Sequence, residues 1–139
     1  MPGRVFLDAN ILVYAHDAAV PGKQGKSRDV IARLAGSADG VISTQVMQEF
    51  YVAATRKLGV APLAAKAVLK TFAVFETVQI SPALIQEAID CSILNELSFW
   101  DALIVAAAAA AGCSTVLSED LNAGQVILGV KVQNPFTGP

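Results

Sequence analysis

The sequence predicts an α/β fold, a parallel sheet held between layers of helix. Short β-branched runs alternate with longer stretches of helical periodicity, the pattern of parallel strands joined by helical crossovers. Two of the apolar runs stop at acids: Val5-Phe6-Leu7 at Asp8, and Ser114-Thr-Val-Leu117 at Ser118-Glu119-Asp120. Open α/β sheets collect their chemistry at the carboxyl ends of strands. The length of 139 residues, with 54% hydrophobic and 16% charged, fits one domain with a large core and little disorder.

After the first strand, Asn10 to about Ala15 reads as a short helix, followed by loop punctuation over Val20–Gly25. From Lys26 to Leu34 the pattern turns helical, with Val30, Ile31 and Leu34 inward. Gly36–Gly40 reads as a loop and Val41–Ser43 as a strand. Ser43 or Thr44 can cap the next helix, roughly Gln45 to Lys57. Its stripe of Val46, Phe50 and Ala53 faces the core, and Glu49 stands at the edge of that stripe. Gly59–Pro62 breaks the chain before a helix over Leu63–Phe72 and a strand over Val74–Ile80. Ser81-Pro82 starts a helix running to about Leu97, with Leu84, Ile85, Ala88, Ile89, Ile93 and Leu94 inward. Ser98-Phe-Trp-Asp101 is a variant capping box ahead of Ala102–Ala111, a helix with no polar face that the domain must enclose. Gly112 ends it. Val126–Leu128 and Val130–Val132 are short strand candidates, and Asn134–Pro139 is a tail.

The formal charge of −2 argues against a strongly basic surface, though not against a local basic patch. Lys23, Lys26, Arg28 and Arg33 cluster on one stretch, read either as a solvated helix face or as phosphate contacts. Cys91 and Cys113 lack metal-type spacing and read as core residues of a reduced, cytoplasmic protein. The apolar start is too short for a signal peptide. Ala102–Cys113, the longest uncharged apolar stretch, falls well under the ~20 residues of a membrane span.

Four acids stand out: Asp8, Glu49, Asp101 and Asp120. Two follow strands and two lie near the starts of buried helices, positions that share one sheet edge in a parallel fold. Each has a plainer role: Asp8 and Asp101 as helix caps, Asp120 as a turn residue, Glu49 as a helix-edge carboxylate reaching solvent. Gathered together, they could not all stay ionised without a counter-charge, since two carboxylates ~4 Å apart repel by ~4 kcal/mol at an effective dielectric near 20. Arg4 is the one cation near any of them in sequence. All-oxygen donors without Cys or His favour Mg²⁺ or Mn²⁺ over zinc.

The segments Val-Phe-Leu-Asp8-Ala-Asn10, Ser-Thr44-Gln-Val-Met-Gln-Glu49, Ser-Phe-Trp-Asp101-Ala-Leu-Ile-Val and Leu-Ser118-Glu-Asp120-Leu-Asn resemble those of PIN-domain ribonucleases, the fold of VapC-type toxins in toxin–antitoxin pairs. The closing Asn134-Pro-Phe136 is similar too. The resemblance implies a three-layer α/β/α sandwich with a mostly parallel five-stranded sheet. It implies an endoribonuclease dependent on Mg²⁺ or Mn²⁺, with Asp8 and Asp101 holding the principal ion, Asp120 binding it directly or through water, and Glu49 positioning or deprotonating the attacking water. Asn10, Thr44, Ser118 and Asn122 would support the acids or touch substrate. The family often carries a further acid where this chain has Asn122, which leaves one or two ions open. A homodimer and an antitoxin partner are also implied, and Lys23, Lys26 and Arg28 are candidates for RNA contact.

Two rival readings stand beside it. One is a catalytically silent module that binds RNA or protein. The other is a haloacid-dehalogenase-like phosphatase, but its Asp-x-Asp-x-Thr signature is here Asp8-Ala-Asn10-Ile-Leu12. His16 is expected on the surface, Phe99 and Trp100 in the core. The apolar surplus points to helix surface covered by a second subunit or an antitoxin peptide.

Overall fold

The computed structural model describes residues 3–137, so Gly138 and Pro139 of the expected tail lie outside the described residues. Six strands and six α-helices alternate along the chain. Strand β1 (Arg4–Leu7) is followed by α1 (Ala9–Tyr14), α2 (Pro21–Ser37), β2 (Gly40–Ser43), α3 (Thr44–Arg56) and α4 (Pro62–Thr71). A short 3-10 turn leads to β3 (Glu76–Val78), α5 (Pro82–Asn95), α6 (Phe99–Ala110), β4 (Cys113–Leu117), β5 (Val126–Ile127) and β6 (Val130–Gln133).

The sheet order is β3-β2-β1-β4-β6-β5. Its first five strands are parallel, as expected, and the two-residue β5 adds an antiparallel edge. Leu128 (φ 53°) and Gly129 (φ 77°) make the two-residue turn between β5 and β6. Positive φ at both positions is what a type I′ hairpin turn requires. From β1 the chain winds outward through β2 to β3, then returns to β4 on the other side of β1. Right-handed crossovers therefore place α1–α4 on one face and α5–α6 on the other. The reversal between β1 and β4 leaves a crevice at their carboxyl ends.

Helix α6 is the central buried element. Every residue from Ala102 to Ala108 is buried, as its lack of a polar face demands. It packs on β2, β4 and β6, and α5 lies outside it. Because α6 already covers that face of the sheet, α5 needs only one narrow inward stripe: Leu84, Ala88 and Cys91 are buried, whereas Ile93 and Leu94 are 71% and 81% exposed. The wider inward face expected for α5 is thus corrected, since Ile85 and Ile89 are also more than a third exposed, at 37% and 38%.

Other boundaries shift for identifiable reasons. Helix α2 begins at Pro21, not Lys26, because proline's fixed φ suits the first helical turn, and the helix passes through Gly22, Gly25 and Gly36. Strand β3 keeps only three residues of Val74–Ile80, the preceding ones being taken into the 3-10 turn. Gly40 marks a close approach: a Cβ there would lie 2.5 Å from Phe75 Cδ1 and 3.2 Å from Leu34 Cβ. Both cysteines are buried and free, and burial pushes the Cys113 thiol up to about 11, leaving it inert at neutral pH. His16 is exposed, with its ring edge-on to Phe50. Trp100 is 62% exposed rather than in the core, while Phe99 packs against the core. Among the described residues no single helix is long and apolar enough to cross a membrane.

Candidate active site at the sheet reversal

Strand register builds the centre of the site. Leu7 pairs with Leu117 across β1 and β4, so the next residues, Asp8 and Ser118, emerge side by side. The Asp8 N–H donates to Leu117 O at 3.0 Å, and the Ser118 hydroxyl donates to Asp8 Oδ2 at 2.7 Å. Asp8 also caps α1, its Oδ1 accepting from the Ala9 N–H at 2.7 Å. The capping role and the cleft-lining position coexist. Asp8 is 7% exposed, and loss of water, reinforced by the charges of Asp120 and Asp101, pushes its carboxyl above the ordinary range despite those hydrogen bonds.

Asn10 ties the second acidic strand end to the first. Its amide nitrogen stands 3.4 Å from Asp8 Oδ2, 3.3 Å from Ser118 Oγ and 3.2 Å from Asp120 Oδ2. Its carbonyl oxygen accepts from the Glu119 N–H at 3.2 Å, and Ser118 Oγ accepts from the Asp120 N–H at the same distance. One amide side chain therefore sets the loop after β4 against the start of α1.

Asp8, Asn10, Glu49 and Asp120 line one open cleft of about 720 Å³. Glu49 reaches it from α3 and is accessible at its mouth. Its carboxyl is also held above the ordinary range, first by partial loss of water and then by the charge of Asp8, with Asp101 and Asp120 adding to it. Asp101 does not line the cleft wall, yet its charge is felt at both Asp8 and Glu49. Its backbone N–H donates to Ser98 Oγ at 3.1 Å, the forward half of the expected capping box. Among the described residues the reciprocal bond from its carboxylate is not made, which leaves that carboxylate free.

The remaining sequence candidates divide. Ser118 is buried at the heart of the cluster. Thr44 is not in this cleft: its hydroxyl accepts from the Ile80 N–H at 3.2 Å and it lines a separate cavity with Met47, Leu69 and Phe72. Asn122 is exposed, its carbonyl closing a turn with the Gln125 N–H, away from the cleft lining. Lys23 is committed to an ion pair with Glu119 and lies over the Tyr14 ring, 4.8 Å from its centroid. Arg28 donates to Ala15 O at 2.8 Å, and Lys26 faces a different groove. Arg4 starts β1 at the opposite sheet edge, where it pairs with Glu76.

Several cleft residues were not singled out from the sequence. Arg56 and Lys57, at the end of α3, line the same cleft. Arg56 lies seven residues after Glu49, two helical turns along the same face, a spacing that would have found it. Gln45 is 4% exposed and donates to Trp100 O at 3.2 Å, linking the starts of α3 and α6. Tyr14 donates to Glu119 Oε1 at 2.7 Å, with Phe136 edge-on to its ring, forming a wall beside the cleft. Nothing local in the sequence announces that wall.

The donor set tests the fit to a cation. Among the described residues the ion pairs are Arg4–Glu76 and Lys23–Glu119, so none of the four acids has a basic partner. No three Asp, Glu, His or Cys groups among those residues stand ready to enclose an ion. That arrangement fits a hydrated Mg²⁺-like ion, which takes one or two carboxylates and fills its other positions with water and phosphate oxygens. It does not fit a closed cage of the zinc type.

The fold is shared with solved toxin structures. VapC20 of Mycobacterium tuberculosis, a sarcin-ricin loop cleaving toxin, superimposes with a TM-score of 0.66 at 21% identity, over 84% of this chain and 91% of that one. A toxin–antitoxin complex from Klebsiella pneumoniae gives 0.72 at 17% identity, over 94% and 97% of the two chains. DNA-bound VapBC from Salmonella typhimurium gives 0.69 at 17% identity, over 96% and 98%. Comparison with curated proteins finds no match. The family model for the PIN domain matches residues 5–126, which include all four acids, and the chain belongs to the PIN domain family.

Proposed function

We propose that this protein is a metal-dependent endoribonuclease, the toxin of a toxin–antitoxin pair. The observation that carries the reading is the union of Asp8, Glu49 and Asp120 in one cleft, with Asp101 in electrostatic range and, among the described residues, no ion pair to any of the four. A bound Mg²⁺ or Mn²⁺ would supply the missing positive charge, polarise the phosphodiester and acidify a water.

The chain's own residues have separate tasks. Asp8 and Asp101 would hold the ion, with Asp120 binding it directly or through water. Ser118 and Asn10 fix the carboxylate orientations by the hydrogen bonds described above. Glu49, with its raised carboxyl, is suited to orient the attacking water and take its proton. Arg56 and Lys57 place positive charge in the cleft, where a strand's phosphates would be drawn in. A homodimer and an antitoxin are the expected protein partners. Leu63, Ile93, Leu94 and Trp100, each more than 60% exposed, are apolar surface for such contacts.

The test is cleavage of RNA by the purified protein in Mg²⁺ or Mn²⁺, repeated in chelator and with Asp8→Asn. Cleavage that survives either change refutes the assignment. The silent-module reading draws on the absence of three converging ligands among the described residues. Binding of RNA without cleavage at any divalent ion concentration would establish it instead.

A further inference from the structure

A second surface on the same side of the molecule has the opposite charge. Between α2 and β6 runs a groove of about 480 Å³ lined by Lys26, Arg33 and Lys131, with Gln133, Asn134 and Thr137 as further polar walls. Among the described residues no carboxylate lines it. Among the described residues none of the three cations is in an ion pair. Asp29 stands three residues after Lys26 and four before Arg33 on α2 and is exposed, but it does not line the groove and is in no ion pair among the described residues.

Its origin is structural. Lys26 and Arg33 are seven residues apart on α2, so they project from one helix face about 10 Å from each other. Lys131 alternates with the buried Val130 and Val132 on β6. The groove also adjoins the acid cleft. Its wall residue Leu117 directly precedes Ser118, and the Ser118 N–H donates to Gln133 O at 3.0 Å. Tyr14, which lines the acid cleft, and Phe136, next in sequence to the groove residue Pro135, pack edge to face with ring centroids 5.2 Å apart.

We infer that this groove binds the phosphate backbone of a single RNA strand whose scissile bond lies in the acid cleft. The inference rests on the nuclease reading and extends it by naming where the rest of the substrate is held. A row of cations with amide and hydroxyl groups between them, open to solvent and with no aromatic side chain in its lining among the described residues, matches a sugar–phosphate chain better than a folded partner's apolar side chains.

The test is fluorescence anisotropy with a labelled oligouridylate in chelator, as a function of salt. The variants are Lys26→Gln, Arg33→Gln and Lys131→Gln, singly and combined, with Lys66→Gln/Lys70→Gln on α4 as a control that removes two positive charges elsewhere. The combined variant should bind about tenfold or more weakly and lose about 2 from the log–log salt slope, roughly 0.7 per phosphate contact. Each single variant should shift Kd about twofold to threefold in the same direction, and the control less than that. Thermal melts check that every variant is folded. Unchanged Kd and slope in the folded single and combined variants would overturn the proposal. So would a groove that binds polyglutamate in a Lys26-, Arg33- and Lys131-dependent way while RNA binding ignores those residues. Groove-dependent RNA binding by a protein that cuts no RNA in Mn²⁺ keeps the groove and sinks the nuclease. RNA cleavage with groove-independent affinity sinks the groove alone.

Discussion

Replacing Asp8 by Asn separates the cost of the acid cluster from its use. Asparagine caps a helix as well as aspartate does, so the bond from the Ala9 N–H survives; the amide nitrogen in place of Oδ2 turns the Ser118 hydroxyl from donor to acceptor, and the negative charge is removed. One Asn10 nitrogen lies 3.4 Å from Asp8 Oδ2 and 3.2 Å from Asp120 Oδ2, so those oxygens are at most about 7 Å apart, where two charges repel by about 2.5 kcal/mol at an effective dielectric near 20. Asp120 is exposed, and screening by water and salt lowers that to about 1 kcal/mol. Relief of the buried charge itself adds to this, for a total of about 2 kcal/mol. In a chain of this size the metal-free variant should melt about 6 °C higher than the parent at pH near 7.5.

The pH dependence follows from the raised carboxyl. Asp8 holds its proton more tightly folded than unfolded, so its contribution to stability is full below the unfolded value and is lost as pH rises through the folded one. The gap between variant and parent should therefore close as pH falls toward the ordinary carboxylate range. Excess Mn²⁺ should reverse the order, raising the parent's melting temperature and barely moving the variant's. Differential scanning fluorimetry across pH, with and without Mn²⁺, reads all three effects. An Asp8→Asn protein that melts at or below the parent temperature in chelator at neutral pH would show that Asp8 is a helix cap and nothing more.

Asn10→Ala should leave the fold intact at a cost of about 1–2 kcal/mol, since its bonds are shared and partly exposed, but weaken Mn²⁺ binding by 10–100-fold in calorimetry. Mn²⁺ affinity should climb with pH and binding should release protons, because the raised carboxyls of Asp8 and Glu49 must ionise first; calorimetry in buffers of different ionisation enthalpy counts them. Gly40→Ala should destabilise by about 1–3 kcal/mol in denaturant titration, because the new methyl meets the Phe75 ring at 2.5 Å.

How much of this was legible in the sequence depended on whether the signal was local. Strand ends that halt at acids, the Ser98 cap and the all-apolar α6 are local statements, and the structure contains each of them. The width of the buried face on α5 was not, because it depends on how much of the sheet α6 has already covered. Trp100 was misplaced in the same way: it lies within the first turn of α6, ahead of the buried run, where the side chain faces out. Thr44 shares a motif with Glu49 in sequence, but a residue five positions earlier on a helix points elsewhere, and it serves the Ile80 N–H. The basic residues were gathered by sequence proximity, whereas the fold sorts them by helix face, sending Lys23 to Glu119 and Lys26 to a groove completed by Lys131 from a distant strand.

Asn10 explains how two of the acids are held together. Its position brings a donor to Asp8, Ser118 and Asp120 at once, so two converging carboxylates are bridged by neutral hydrogen bonds rather than by a salt bridge. A lysine there would stabilise the empty protein more, because it would cancel charge outright. It would also occupy the space and satisfy the field that a divalent ion needs. The amide does neither: it orients the oxygens and leaves their negative potential in place. On the nuclease reading Asn10 would trade stability without metal for cation affinity, and an Asn10→Lys protein, more stable yet unable to bind Mn²⁺, is the variant in which those two properties should part.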